Sequence, residues 1–236
     1  MRPYLDPRDH AFANGPVFKR PDTVDAARTL FDRTEDGDRL WELFAAFDRG
    51  AECGEGLRLG LNARLLTPGG ARRVVIGRDC AIRGVIRCED DGRVVLGDEV
   101  YLGDGVIISA RIDVSIGSGT LLAHGVQVFD NDTHPIDPVE REAHFRAILK
   151  LGPQGRFNIG AAPVRIGRRC WIGFAGAVMK GVSMGDDAIA AAGAVVTRDV
   201  PQACIVAGNP ARIVRRLGGP PRAGGWIGRA LRRLRG

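Results

Sequence analysis

A histidine bracketed by acids, Asp130-Asn131-Asp132-Thr133-His134-Pro135, is the part of this 236-residue chain best equipped for acid–base chemistry. An imidazole with an ordinary pKa of about 6.5 can take a proton from a hydroxyl near neutral pH. A carboxylate or carbonyl on its other nitrogen normally fixes the tautomer that does so. Asp132 and Asp130 are the two candidates, and an Asx-type turn accounts for either equally well. Other chemistries are poorly supplied. The four histidines, at 10, 124, 134 and 144, form no H-x-x-x-x-H pair, so no metal site of converging imidazoles is expected. The five cysteines, 53, 80, 88, 170 and 204, contain no C-x-x-C pair and no recognisable nucleophile motif, which points to a reducing compartment without disulfides.

The elements that must hold His134 follow from a six-residue repeat. An aliphatic residue, often followed by glycine, recurs at Ile76, Ile82, Leu96, Leu102, Ile108, Ile116, Leu122 and Val128. After a gap it resumes at Ile166, Ile172, Val178, Met184, Ala190 and Val196. Six is a multiple of the strand period of two, so every unit turns the same face inward, whereas a 3.6-residue helix would rotate it away. Three units make a triangular coil, and stacked coils bury an aliphatic core that no single coil can bury alone. The steps from Cys88 to Leu96 and from Ile108 to Ile116 are two residues longer, which places a bulge at one corner. His134 lies eighteen residues beyond Ile116, one coil on, and is expected to occupy an inward repeat position where an imidazole breaks the aliphatic pattern.

The chain resembles the hexapeptide-repeat acyltransferases over roughly residues 74 to 217. The resemblance is most specific in Ile166-Gly167-Arg168-Arg169-Cys170-Trp171-Ile172-Gly173, in Lys180-Gly181-Val182, in the segment 192–201 and in Ala207-Gly208-Asn209-Pro210-Ala211-Arg212. This order is similar to galactoside and maltose acetyltransferases and to bacterial polysaccharide O-acetyltransferases. It implies an all-β, left-handed parallel β-helix, an exception to the usual right-handed crossover. It also implies a homotrimer that uses acetyl-CoA, with active sites between neighbouring prisms.

On the same basis His134 is the expected catalytic base, removing a proton from a sugar hydroxyl during direct transfer, with Asp132 or Asp130 as its partner. Trp171, Gly173, Phe174, Lys180, Ala192, Gly193, Thr197, Arg198 and Arg212 are the expected coenzyme-binding residues. Ser109, Glu140, Arg141 and His144 are expected near the acceptor, Ser109 standing where galactoside-type enzymes carry an asparagine. Most of these charged side chains read equally well as solvated surface. An amino sugar or nucleotide-linked amino sugar is the alternative acceptor, and a noncatalytic scaffold the second alternative.

The gap from Pro135 to Pro163 reads as an ordered flap. Asp137-Pro138-Val139-Glu140 supplies a cap, a first-turn proline and a reciprocal acid, predicting a helix over 140–150. Residues 1–55 form the expected helical cap, with apolar stripes in 22–33 and 38–49, ahead of a β-helix domain over 56–217. A basic tail follows over 218–236 with a short amphipathic helix at 226–235, suited to an anionic membrane surface or simply solvated. The net charge of +6 rests almost wholly on arginine, because lysine occurs only at 19, 150 and 180. That balance suits phosphate and carboxylate ligands without requiring nucleic acid. No apolar run approaches the roughly 20 residues that span a bilayer, and the start has no signal-like stretch, so a cytoplasmic protein is expected.

Overall fold

The computed structural model describes residues 17–19, 37–67, 73–151 and 157–218. The stripes expected at 22–33 and 226–235 lie outside them. Short strands wind into three sheets of nine, six and six strands, the faces of a left-handed parallel β-helix of about seven turns. The hexad residues stack in columns, one along each sheet. Leu59, Ile82, Leu102, Leu122, Ile172, Ala190 and Val206 follow one another up the nine-stranded sheet. Ile86, Ile108, Val128, Val178 and Val196 do so in the second sheet, and Ile76, Leu96, Ile116, Ile166 and Met184 in the third. All of these are at most 3% exposed, and each fully buried Ile, Leu or Val contributes about 1.5–3 kcal/mol.

Glycine is required at one corner column. A Cβ on Gly77 would lie 2.5 Å from the backbone carbon of Gly97, and one on Gly97 2.6 Å from the nitrogen of Ser118. No side chain fits between coils there, hence the twenty-residue glycine spacing. The same column is stitched by acids: the amides of Arg78 and Arg168 donate to Asp98 and Asp186 in the next coil, both at 2.8 Å.

The coil begins earlier than residue 56. Strand Ala51–Cys53 already pairs in parallel with Val74–Ile76, and Arg58–Gly60 and Arg64–Leu66 complete the first turn. Helix α1, Gly37–Gly50, closes this end by burying Leu40, Leu43, Phe44 and Phe47 against the core, with Trp41 partly covered. At the other end Cys204–Ala207 pairs antiparallel with Arg212–Arg216, which stops the parallel ladder. No helix among the described residues is long and apolar enough to cross a membrane.

Candidate active site

Each coil leaves the second sheet, turns a corner and enters the third. Residues 89–92, 111–112, 130–163, 179–182 and 197–199 occupy that corner in successive coils. The two long hexad steps and the flap therefore share one edge of the prism, and His134 stands on it.

His134 does not fill an inward slot. The position above Ile116 is taken by Ile166, from the strand after the flap. The chain leaves the coil at Asp130 because the Thr133 amide donates to Asn131 Oδ1 at 2.9 Å and Thr133 turns left-handed with φ 63°. His134 is thereby carried outward and its side chain is exposed. A narrow neck fixes this exit: the Asp132 amide donates to Gly160 O at 2.9 Å, the Ala162 amide to Asp130 O at 2.8 Å, and Asn131 bridges Ala161.

Neither expected carboxylate reaches the His134 ring. Asp130 is fully buried and accepts from the backbone amides of Arg111, Ile112 and Asp113 at 2.7–2.8 Å and from Asn131 Nδ2 at 3.0 Å. It ties the flap to the corner of the preceding coil. Asp132 pairs with Lys180 at 2.5 Å and takes the His134 amide on its backbone carbonyl, not its carboxylate. Lys180, an expected coenzyme contact, is paired within the neck.

The partner of His134 is His144. Their Nδ1 atoms are 3.2 Å apart, and Nε2 of His134 has no hydrogen-bond partner among the described residues. His144 belongs to helix α2, Pro138–Leu151, which starts where Asp137 Oδ1 accepts the Glu140 amide at 2.9 Å. Glu140 is not a reciprocal cap: its Oε1 accepts the Asn158 amide at 2.7 Å and clips the returning chain to the helix. Arg141 donates to Ile136 O at 2.6 Å and bolsters the same turn. His144 is 6% exposed and packs on Phe157 with ring centroids 4.6 Å apart. Burial, and then the charges of His134 and Arg111, push its imidazole below the ordinary histidine pKa, while Glu89 and Glu140 oppose the shift. Ser109 is fully buried, and its hydroxyl donates to Glu89 Oε1 at 3.1 Å rather than facing a ligand. Glu89 and Arg111 were not among the expected site residues, although the long hexad steps mark their corner.

Most of the remaining expected residues flank the second sheet. Thr197 and Arg198 share the edge of His134 and Lys180, both exposed. Gly173, Phe174, Ala192 and Gly193 lie across that sheet on the other corner column, where the Gly193 amide donates to Phe174 O at 2.9 Å. Phe174 is 62% exposed, and a Cβ on Gly193 would meet nothing within 4 Å. The Phe174 amide itself donates to none of the described residues. Trp171 is 51% exposed on the adjacent nine-stranded sheet, in register with Tyr101 and Leu121 on one side and Ile189 on the other. Arg212 is exposed on the closing antiparallel strand. Among the described residues no group of three or more His, Cys, Asp and Glu is arranged to hold a metal ion.

The stacked hexapeptide coils place the chain among the parallel β-helix proteins, and residues 163–198 match the family model described as the hexapeptide repeat of succinyl-transferase. Nodulation protein L of Rhizobium meliloti is 37% identical over 138 residues, covering 58% of this chain and 68% of that protein. Polysialic acid O-acetyltransferase of Escherichia coli O1:K1 is 30% identical over 144 residues, covering 61% of this chain but 43% of its own length. The chain belongs to the hexapeptide-repeat acetyltransferase family. In fold it also matches AntD, an N-acyltransferase from Bacillus cereus solved with dTDP and 3-hydroxybutyryl-CoA, with TM-score 0.56, 13% identity, and coverage of 79% of this chain and 93% of that one. A Vibrio cholerae hexapeptide-repeat acetyltransferase solved with acetyl-coenzyme A matches with TM-score 0.51 and 20% identity, covering 83% of this chain and 86% of its own.

Proposed function

We propose that the chain transfers an acetyl group from acetyl-CoA directly to a hydroxyl of a saccharide or glycan precursor, with His134 as general base. The observation that carries this reading is the His134 ring itself: exposed, engaged through Nδ1 and open at Nε2. Nε2 takes the hydroxyl proton as the oxygen attacks the thioester carbonyl. The new C–O bond forms, the C–S bond breaks with its electron pair on sulfur, and the imidazolium returns the proton to the thiolate. Such assistance supplies roughly 10²- to 10⁴-fold in rate. The free Phe174 amide is suited to receive the developing oxyanion.

Exposed features on both borders of the second sheet, and Arg212 on the closing strand of the nine-stranded sheet, support a coenzyme site there. Phe174, Ala192 and Gly193 leave room for a pantetheine arm, and Thr197, Arg198 and Arg212 would meet phosphates. The names of the relatives support a saccharide acceptor. Association of copies, a homotrimer by the family resemblance, is consistent with the outward apolar row Tyr101, Leu121, Trp171, Ile189 and Ile205, and with Ile136, Val139, Phe145 and Leu149 exposed on the flap.

The test is release of free thiol from acetyl-CoA with neutral sugars, amino sugars, nucleotide-linked sugars and polysialic acid. The parent turns over with a hydroxyl acceptor, and His134→Ala loses at least a hundredfold while still binding coenzyme. Turnover confined to amino sugars replaces the hydroxyl by an amine. Equal turnover in parent and variant removes the base, and absence of coenzyme binding from both leaves a scaffold.

A further inference from the structure

We propose that His144 is the positioning residue of His134: it accepts the Nδ1 proton of His134 and so holds the Nε2 lone pair open toward the acceptor. The inference rests on the reading of His134 as base and deepens it, giving a neutral imidazole the place expected for a carboxylate.

The argument is a proton count across 3.2 Å. Two bare ring nitrogens at that separation repel through their lone pairs, and two N–H groups collide. One proton therefore lies between the rings. If it sits on His144, His134 accepts at Nδ1, carries its own hydrogen on Nε2 and is no base. If it sits on His134, Nε2 is bare and basic.

Burial decides between them. His134 is exposed and can carry charge in water, whereas His144 is 6% exposed and lies against the Phe157 ring. When the acceptor's proton reaches Nε2, the resulting charge belongs on His134, and its Nδ1–H bond to a neutral His144 becomes a charge-assisted one. The groups facing His144 fit this order. His134 approaches from the neck, Glu89 and Arg111 from the corners of neighbouring coils, and Glu140 from its own helix. The guanidinium disfavours a second cation, while Glu89 is already held by Ser109 and Glu140 by the Asn158 amide.

The test uses the full chain with ¹⁵N-labelled histidine, its signals assigned by substitution, alongside the thiol-release assay. The parent should show His134 with hydrogen on Nδ1 and a bare Nε2 at about pH 9, where an ordinary imidazole is neutral. His144→Ala should move that signal toward Nε2–H and lower kcat about ten- to a hundredfold, with KM for acetyl-CoA within about twofold. His144→Asn places a carbonyl oxygen near the position of Nδ1 and should restore both the tautomer and most of kcat. A parent spectrum showing Nε2–H overturns the proposal, as do Asn and Ala variants that fall equally or both match the parent. Failure of the base reading looks different: His134→Ala would then transfer as well as the parent, whatever the spectrum shows.

Discussion

Replacing Asp130 by alanine separates an anchoring role from a catalytic one. The carboxylate accepts three backbone amides and one side-chain amide, all between 2.7 and 3.0 Å. Hydrogen bonds to a charged group contribute about 1.5–3 kcal/mol each. Arg111, Ile112 and Asp113 are not buried, so water recovers part of the loss, and the expected cost is about 4 kcal/mol rather than the sum. In a chain of this size that lowers the thermal midpoint by roughly 10 °C. Circular dichroism reads the midpoint, and hydrogen exchange reads where the loss falls, which matters because stacked coils need not unfold all at once. The amides of 111–113 should exchange faster first. Asp130→Asn keeps one acceptor oxygen and should lose about half as much. A midpoint within about 2 °C of the parent, with exchange at 111–113 unchanged, would refute the anchor; loss of transfer alone would return Asp130 to the catalytic set.

Stability should also fall in acid. Hydrogen bonds from arginine hold the carboxyls of Asp98, Asp186 and Asp187 below the ordinary range. The unfolded chain therefore binds more protons than the folded one as the pH approaches the ordinary aspartate value of about 4, and stability is lost as pH falls through and below it. Thermal midpoints between about pH 2 and 6 should drop in that window, and the Asp186→Asn/Asp187→Asn pair should flatten the slope; an unchanged slope contradicts it. Burial pushes the Cys80 and Cys88 thiols up to about 11. At about pH 8, where a free thiol near pKa 8.5 reacts, Cys53 should modify ahead of Cys80, Cys88, Cys170 and Cys204. Fast loss of a buried thiol in the native protein, read by mass spectrometry, would refute this.

The prism was legible because its signal is periodic and redundant. Even the first turn carried it: Cys53, Leu59 and Leu65 stand six apart, but they precede the run of aliphatic–glycine pairs by a stretch without hexads. The residues of the candidate site could be picked out along the sequence, but their placement could not. Counting eighteen residues from Ile116 put His134 in the core, because a count assumes that the chain stays in the coil. Asn131 and Thr133 end that assumption with a side-chain turn and a left-handed residue. The pairing of His134 with His144 crosses a helix whose start was readable but whose docking depends on Glu140 reaching Asn158. No pattern along the chain encodes that contact.

The neck at 130–132 and 160–162 brings the two ends of the flap side by side before the coil resumes. Whatever hangs beyond it is therefore decoupled from the pitch of the prism. Insertions, deletions or wholesale exchange of this segment should therefore leave the strand register beneath it untouched.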